Sequence, residues 1–413
     1  MHFNRLALLV PALLFLAGCA TMTPVKTTSQ PEGNAQTPYE LEPPPQVGDI
    51  YYIPFGIKVT KEQMLSAVTD ERIIYVGETH DNPASHRLEL TVLKGLEARY
   101  PGKTALGMEM FSRSQQDVVD RWLAGKLDEK EFLRQSHLEE NWGYDYYKDI
   151  LAFAKENKIP IVALNAERSM VHLLGSKNVD QLTDEERAQL PEMDMNDPYQ
   201  RGMAEAIFGG HEHGKSTLNG FLRVQTLWDE TMAQSVAEYL AKPEHQDVHM
   251  LVMAGGNHIR HGFGIPRRVF RRLPVSYVLI GNKDLVVPEG KQVKLMNVEL
   301  PKIPSPAYDY LKFTEYESLD IQHVMLGIRL SDKDGQVAVE SVMPDSTAEK
   351  AGILANDVIV AFDDQSIKDN FDLIYLVRQK RPGDKAVVQV RRGEETLDLD
   401  VTFLPPDAEH PHR

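Results

Sequence analysis

From about residue 48 to 290 the chain alternates short apolar runs with stretches whose apolar residues recur at helical spacing. The first run, RIIYVGE (72–78), leads four apolar or aromatic residues into Gly77. Asn82, an N-cap type residue, and Pro83, suited to a first helical turn, come next. Leu90, Leu93 and Leu96 then fall on one helical face. The runs TALGMEMF (104–111), IPIVALNAE (159–167), VHMLVMAGG (248–256) and VSYVLIG (275–281) repeat the pattern. Helices are expected at QQDVVDRWLAG and YYKDILAFAKEN, and a helical insertion between about 184 and 241. Buried strands alternating with helices predict a parallel sheet covered on both faces.

Beyond residue 290 the pattern changes. Pro301, Pro304 and Pro306 mark an extended connector over 291–318. Short alternating strands with two helices follow over 319–405. The predicted fold class is therefore α/β, with a largely parallel central sheet flanked by helices, a helical insertion, and a smaller β-rich second domain. A chain of 413 residues suits two domains.

The opening of the chain reads differently. MHFNRLALLVPALLFLAGCA places Arg5 before an apolar run from Leu6 to Ala17, then Gly18 and Cys19. The run is too short to span a bilayer as a helix, which takes about 20 residues. It reads as an export signal over 1–18. Leu16-Ala17-Gly18-Cys19 resembles a bacterial lipobox, which implies lipidation of Cys19 and a membrane anchor. Ala20 fits sorting to the outer membrane, facing the periplasm or cell surface. Cys19 is the single cysteine, so no disulfide is expected. Residues 19–47, rich in Thr, Pro, Gln and Ser, read as a flexible tether to a first domain over 48–290. The net charge of −16 argues against a nucleic-acid partner, since phosphate binding needs clustered cations.

The candidate chemistry lies where the apolar runs end. Run one ends in Glu78 and His80, run two holds Glu109, and run four passes through Gly255-Gly256 into Asn257, His258, Arg260 and His261. In an open parallel sheet, ligands bind beyond the carboxyl ends of the strands. Glu78 and His80, two apart, point the same way on an extended chain. Glu78, His80, Glu109, His258 and Arg260 are therefore expected around one pocket. Carboxylates and imidazoles suit a divalent metal such as Mn, Zn or Co, with Arg260 free for an anionic group. They equally suit acid–base work or a cofactor pocket. Glu109 could instead be a core carboxylate paired with an arginine.

The segments VGETHDNPASH, LGMEMF, WGYDYYKDILAFAKENKIPIVALNAE, QTLWDETMAQSVAEYL and MAGGNHIRHGFGIPRR resemble, in order, the ChaN family of lipid-anchored haem-binding proteins implicated in iron uptake. ChaN proteins are similar to the Tiki superfamily, which includes metal-dependent proteases and erythromycin esterase-like enzymes. Its G-x-x-H motif falls on Gly77 and His80, with Glu78 inside it; its separate glutamate falls on Glu109 and its late histidine on His258. The resemblance implies haem, tyrosine ligation and a dimer with two stacked haems at its interface. Tyr199 is the candidate ligand by position, and His211 and His213 form an H-x-H pair able to hold haem or metal. Tyr144, Tyr146 and Tyr147 are expected to fill the core around Trp142.

DSTAEKAGILANDVIVAFDDQSI and KRPGDKAVVQVRRG resemble a bacterial PDZ domain. Such domains add a peptide as a strand to a sheet edge. The resemblance places the terminal carboxylate on the backbone near Leu326, Gly327 and Ile328, with Arg329 and Ile374 lining the groove. The combined expectation is a lipid-anchored haem-binding protein that docks a peptide or protein C-terminus. A metal-dependent hydrolase and a non-catalytic envelope scaffold stand as alternatives, so enzyme activity stays open.

Overall fold

The computed structural model describes residues 41–209, 217–292, 303, 305–319, 323–333 and 335–405. Each predicted apolar run of the first domain is a strand: β3 (Ile73–Glu78), β4 (Thr104–Ser112), β5 (Ile161–Asn165), β6 (His249–Gly255) and β7 (Tyr277–Val286). Two short strands precede them, β1 (Ile50–Tyr52) and β2 (Ile57–Val59), and β8 (Tyr310–Glu315) follows. The sheet runs β2-β1-β8-β7-β3-β6-β4-β5. It is parallel from β8 to β5, and β1 and β2 add on antiparallel.

Alternation along the strands builds two cores. Ile74, Val76, Leu106, Met108, Leu251 and Met253 pack on one face, under the helices Pro83–Arg99 and Tyr144–Glu156. Ile73, Tyr75, Ala105, Met250 and Val252 pack on the other, under the helices Leu218–Leu240 and Ile265–Arg272. The period of two in a strand sends neighbours to opposite faces. Both faces are covered, so the runs read as continuously apolar. The Pro83–Arg99 helix starts as its sequence implies: Asn82 Oδ1 accepts from the Ala84 N–H at 3.0 Å, and Pro83 opens the first turn.

Two expectations need adjustment. The stretch read as a helical insertion does contain the helices Asp184–Arg187 and Pro198–Gly209. The Leu218–Leu240 helix, however, is part of the main layer, burying Met232, Ala233, Val236 and Leu240 against the sheet. The connector expected over 291–318 carries β8, hydrogen-bonded between β7 and β1. In Tyr310–Glu315, Leu311 and Phe313 alternate inward against Tyr51 and Ile53. The cluster of prolines upstream masked that period of two.

The second domain is an antiparallel sheet, β14 (Glu395–Thr402), β13 (Lys385–Arg392), β11 (Val358–Phe362), β10 (Gln336–Val342) and β9 (Ile328–Lys333), with β12 (Gln365–Ser366) beside β11. The helices Thr347–Ala351 and Asn370–Arg378 close its core over Val339, Phe362, Val388 and Phe403. The Asn370–Arg378 helix also meets the first domain. Phe371 and Tyr375 pack against the first core. Asp372 accepts from Arg134 Nη2 at 2.6 Å and pairs with Lys130 at 2.6 Å. Arg134 also pairs with Asp369 and lies over the Phe371 ring.

Candidate functional site

The last residue of β3 organises the site. Glu78 Oε1 lies 2.5 Å from His80 Nδ1 and accepts the Tyr147 hydroxyl at 2.8 Å. The predicted common direction of Glu78 and His80 is thus realised. His86 and Glu89, at i and i+3 on the following helix, come to the same place. His86 Nδ1 is 3.0 Å from Glu89 Oε2 and 3.5 Å from Glu78 Oε2. Burial pushes the Glu78 carboxyl up, but the hydrogen bond from His80 and the His86 and His80 charges outweigh it, leaving it at about 2. Burial and the Glu78 charge together push Glu89 well above the carboxylate range. Burial pulls His80 down, yet the Glu78 hydrogen bond and the Glu78 and Glu109 charges raise it to about 9. Its ring packs edge-on to Trp142, with centroids 4.9 Å apart.

A second group gathers at the end of β6. Glu109 Oε2 accepts from the Gly255 N–H at 2.7 Å, and Glu109 Oε1 lies 3.6 Å from His258 Nε2. His258 Nδ1 is 2.6 Å from Asp229 Oδ1, on the Leu218–Leu240 helix. The carboxylate can only accept, so His258 donates from Nδ1. Burial pulls this imidazole down, but Glu109 and Asp229 more than compensate and its pKa is raised. His80 joins the two groups: a Cβ on Gly255 would lie 2.8 Å from His80 Nε2 and 3.7 Å from Glu109 Oε2. Only glycine leaves that ring in place.

A cleft opens from Asp229 to the surface. It is lined by Met203, Ala204, Ile207 and Phe263, with Gln200, Gln225, Asp229, Asn257 and Arg260 as its polar members. Tyr199 stands beside it, stacked on Phe263 with centroids 4.9 Å apart and 51% exposed. The Arg267 guanidinium lies 5.5 Å over the Tyr199 ring.

The structure therefore brings Glu78, His80, Glu109 and His258 to one rim of the sheet, with Arg260 in the adjoining cleft. They do not form one ligand shell. Glu78 turns toward the Pro83–Arg99 helix, whereas Glu109 and His258 turn toward the Leu218–Leu240 helix. His86, Glu89, Tyr147 and Asp229 complete these groups and escaped sequence reasoning. HRLE (86–89) carried a usable sign: a histidine and a glutamate three apart on a helix that starts beside the strand end. Tyr147, expected in the core, is fully buried, and its hydroxyl also donates to Glu78. His211, His213 and Cys19 lie outside the described residues.

In the second domain Gly327 has φ +76, and its Cβ would fall 2.3 Å from Ser346 Cβ, so the loop before β9 requires glycine. The Leu326 side chain is buried in the core, which leaves only its backbone for a ligand. Ile328 opens β9, the outermost strand of that sheet. Arg329 is exposed, as is Ile374 at 46%.

Residues 64–269 match the family described as haem-binding uptake, Tiki superfamily, ChaN. Through that segment the chain belongs to the ChaN family. Residues 324–403 match the PDZ domain family. Beyond the ChaN segment, a DegP-like probable periplasmic serine endoprotease of Rhizobium meliloti is 39% identical over 84 residues, 20% of this chain and 16% of that protein. A Marinomonas homologue of the same description is 35% identical over 78 residues, 18% of this chain and 17% of that protein. The chain spans only about a sixth of these relatives. Among solved structures, ChaN of Campylobacter jejuni with cofacially bound haem is 16% identical, covering 65% of this chain and 98% of that one at a TM-score of 0.49.

Proposed function

We propose that this protein binds haem in the cleft beside Tyr199 and takes part in haem or iron uptake while anchored to the outer membrane through Cys19. One observation carries the reading: the ChaN-matched segment presents a half-exposed tyrosine, stacked on a phenylalanine, beside a cleft of mixed apolar and polar lining edged by arginine. The residue types suit the group, which would lie over the mouth of the cleft, since the cavity itself holds only about 20 Å³. Ferric iron accepts a phenolate. The partly exposed Phe263 and the Tyr199 ring, backed by the buried Met203 and Ile207, offer apolar surface for a porphyrin, and Arg260 and Arg267 offer guanidinium groups for its propionates. Bound haem supplies the iron and its redox chemistry; Tyr199 and the arginines position it. A second copy of the chain facing this surface, as the family implies, belongs to the same proposal. The PDZ domain docks a peptide or protein C-terminus along β9, with Ile374 in the groove.

Haemin titration of the form beginning after Cys19 tests this. The wild-type protein gives a Soret band, and Tyr199→Phe weakens binding at least about tenfold, or about 1.4 kcal/mol. Equal binding by both would remove Tyr199 as ligand. A hydrolytic second reading is favoured by one arrangement only, the buried Asp229–His258–Glu109 array, whose Asp229 lines the cleft. An imidazole held by a buried carboxylate is a suitable general base. That reading expects peptide or ester hydrolysis that His80→Ala or Glu109→Ala abolishes.

A further inference from the structure

On the opposite face from the cleft, Glu78, His86 and Glu89 each offer one ligand atom, all within 4.8 Å of one another. Among the described residues this is the group of that kind. All three side chains are at least nine-tenths buried: Glu78 and His86 are 5% exposed and Glu89 0%. Glu78 Oε2 and Glu89 Oε1 have no hydrogen-bond partner. The tautomer of His86 can be read from its other nitrogen. Nε2 lies 3.0 Å from the His80 carbonyl oxygen, which only accepts, so Nε2 carries the hydrogen. Nδ1 faces the two carboxylates, 3.0 Å from Glu89 Oε2 and 3.5 Å from Glu78 Oε2, and on losing its proton turns a lone pair toward them. Two buried carboxylates side by side are costly unless a cation or a proton lies between them.

We propose that Glu78, His86 and Glu89 form a buried divalent-cation site that ties the end of β3 to the Pro83–Arg99 helix. Two carboxylates match a divalent charge, and the mixed oxygen and imidazole donors favour a borderline ion of the manganese, iron or zinc kind over calcium or magnesium. An outer shell is already in place. The His80 carbonyl orients His86, while Tyr147 and His80 hold Glu78 Oε1 and leave Oε2 for the ion. The site does not rest on the haem reading, because it uses none of the cleft residues.

Elemental analysis and thermal melts of the full chain in detergent test it, with Zn²⁺ and Mn²⁺ added singly after chelator treatment. Wild type and Tyr199→Phe should each retain about one equivalent of divalent metal, and Zn²⁺ or Mn²⁺ should raise Tm after chelation. Glu89→Gln, nearly isosteric, should weaken metal binding about 10- to 100-fold and lose the Tm rise, with haemin binding unchanged. Metal content equal in wild type and Glu89→Gln, or no Tm response in wild type, would overturn the site. A Glu89→Gln protein that is more stable than wild type, and metal-free like it, would assign a shared proton to the carboxylate pair instead.

Discussion

At the scale of single residues, the first domain depends on charges taken out of water and matched one by one. Arg268 is 1% exposed. Its guanidinium donates to the Gly264 carbonyl at 3.1 Å and to Gln200 Oε1, and its Nε lies 3.2 Å from Glu230. It thereby fastens the Pro198–Gly209 helix, which bears Tyr199, to the loop that bears Phe263. Breaking a buried ion pair costs about 3–5 kcal/mol. Arg271 and Arg272 would still neutralise Glu230, so Arg268→Ala should cost about 3 kcal/mol, at the low end of that range. Denaturant unfolding measures this, and a loss below about 1 kcal/mol would mean the pairing is not structural.

At the scale of elements, the period of the apolar residues decided what could be read in advance. The strands from β3 to β6, and Val278–Gly281 of β7, are buried on both faces and stand out as continuous apolar runs. Strand β8 is half-buried, alternates over six residues and follows prolines, so its signal was weak. The site was legible where chemistry sat on strand ends, at Glu78, His80, Glu109 and His258. His86, Glu89 and Asp229 act from helices, where a polar residue on a largely apolar face looks like a solvated position until the packing is known. Gly327 shows the same dependence on context. Its Cβ is excluded by Ser346, from a different element. Gly327→Ala should therefore lower the stability of the PDZ domain by more than about 1 kcal/mol and abolish peptide capture, without changing haemin binding. Peptide capture retained at wild-type strength would show that the loop before β9 does not shape the groove.

At the scale of the whole molecule, the Asn370–Arg378 helix serves two domains, packing Leu373, Leu376 and Val377 into the second core and meeting the ChaN-type domain through Phe371, Asp372 and Tyr375. Burial raises the Asp372 carboxyl, but the Lys130 hydrogen bond and the Lys130 and Arg134 charges lower it further, and its net shift is downward. A depressed carboxylate adds stability above its unfolded value of about 3.9, and that stability is lost as pH falls through the lower folded value. Interdomain docking should thus hold at neutral pH and loosen below about pH 4. Asp372→Asn should weaken it by about 1–3 kcal/mol at pH 7 and flatten that acid dependence. Limited proteolysis across pH follows the effect, and identical profiles for the two proteins would rule out the pair as a clasp. On the proposed reading, haem binds at the outer cleft beside Tyr199 and not at the buried carboxylates behind the sheet. The most direct measurement is haemin titration of wild type, Tyr199→Phe and Glu78→Gln side by side. Haem binding lost in Tyr199→Phe and kept in Glu78→Gln is the predicted outcome; the reverse order would contradict it.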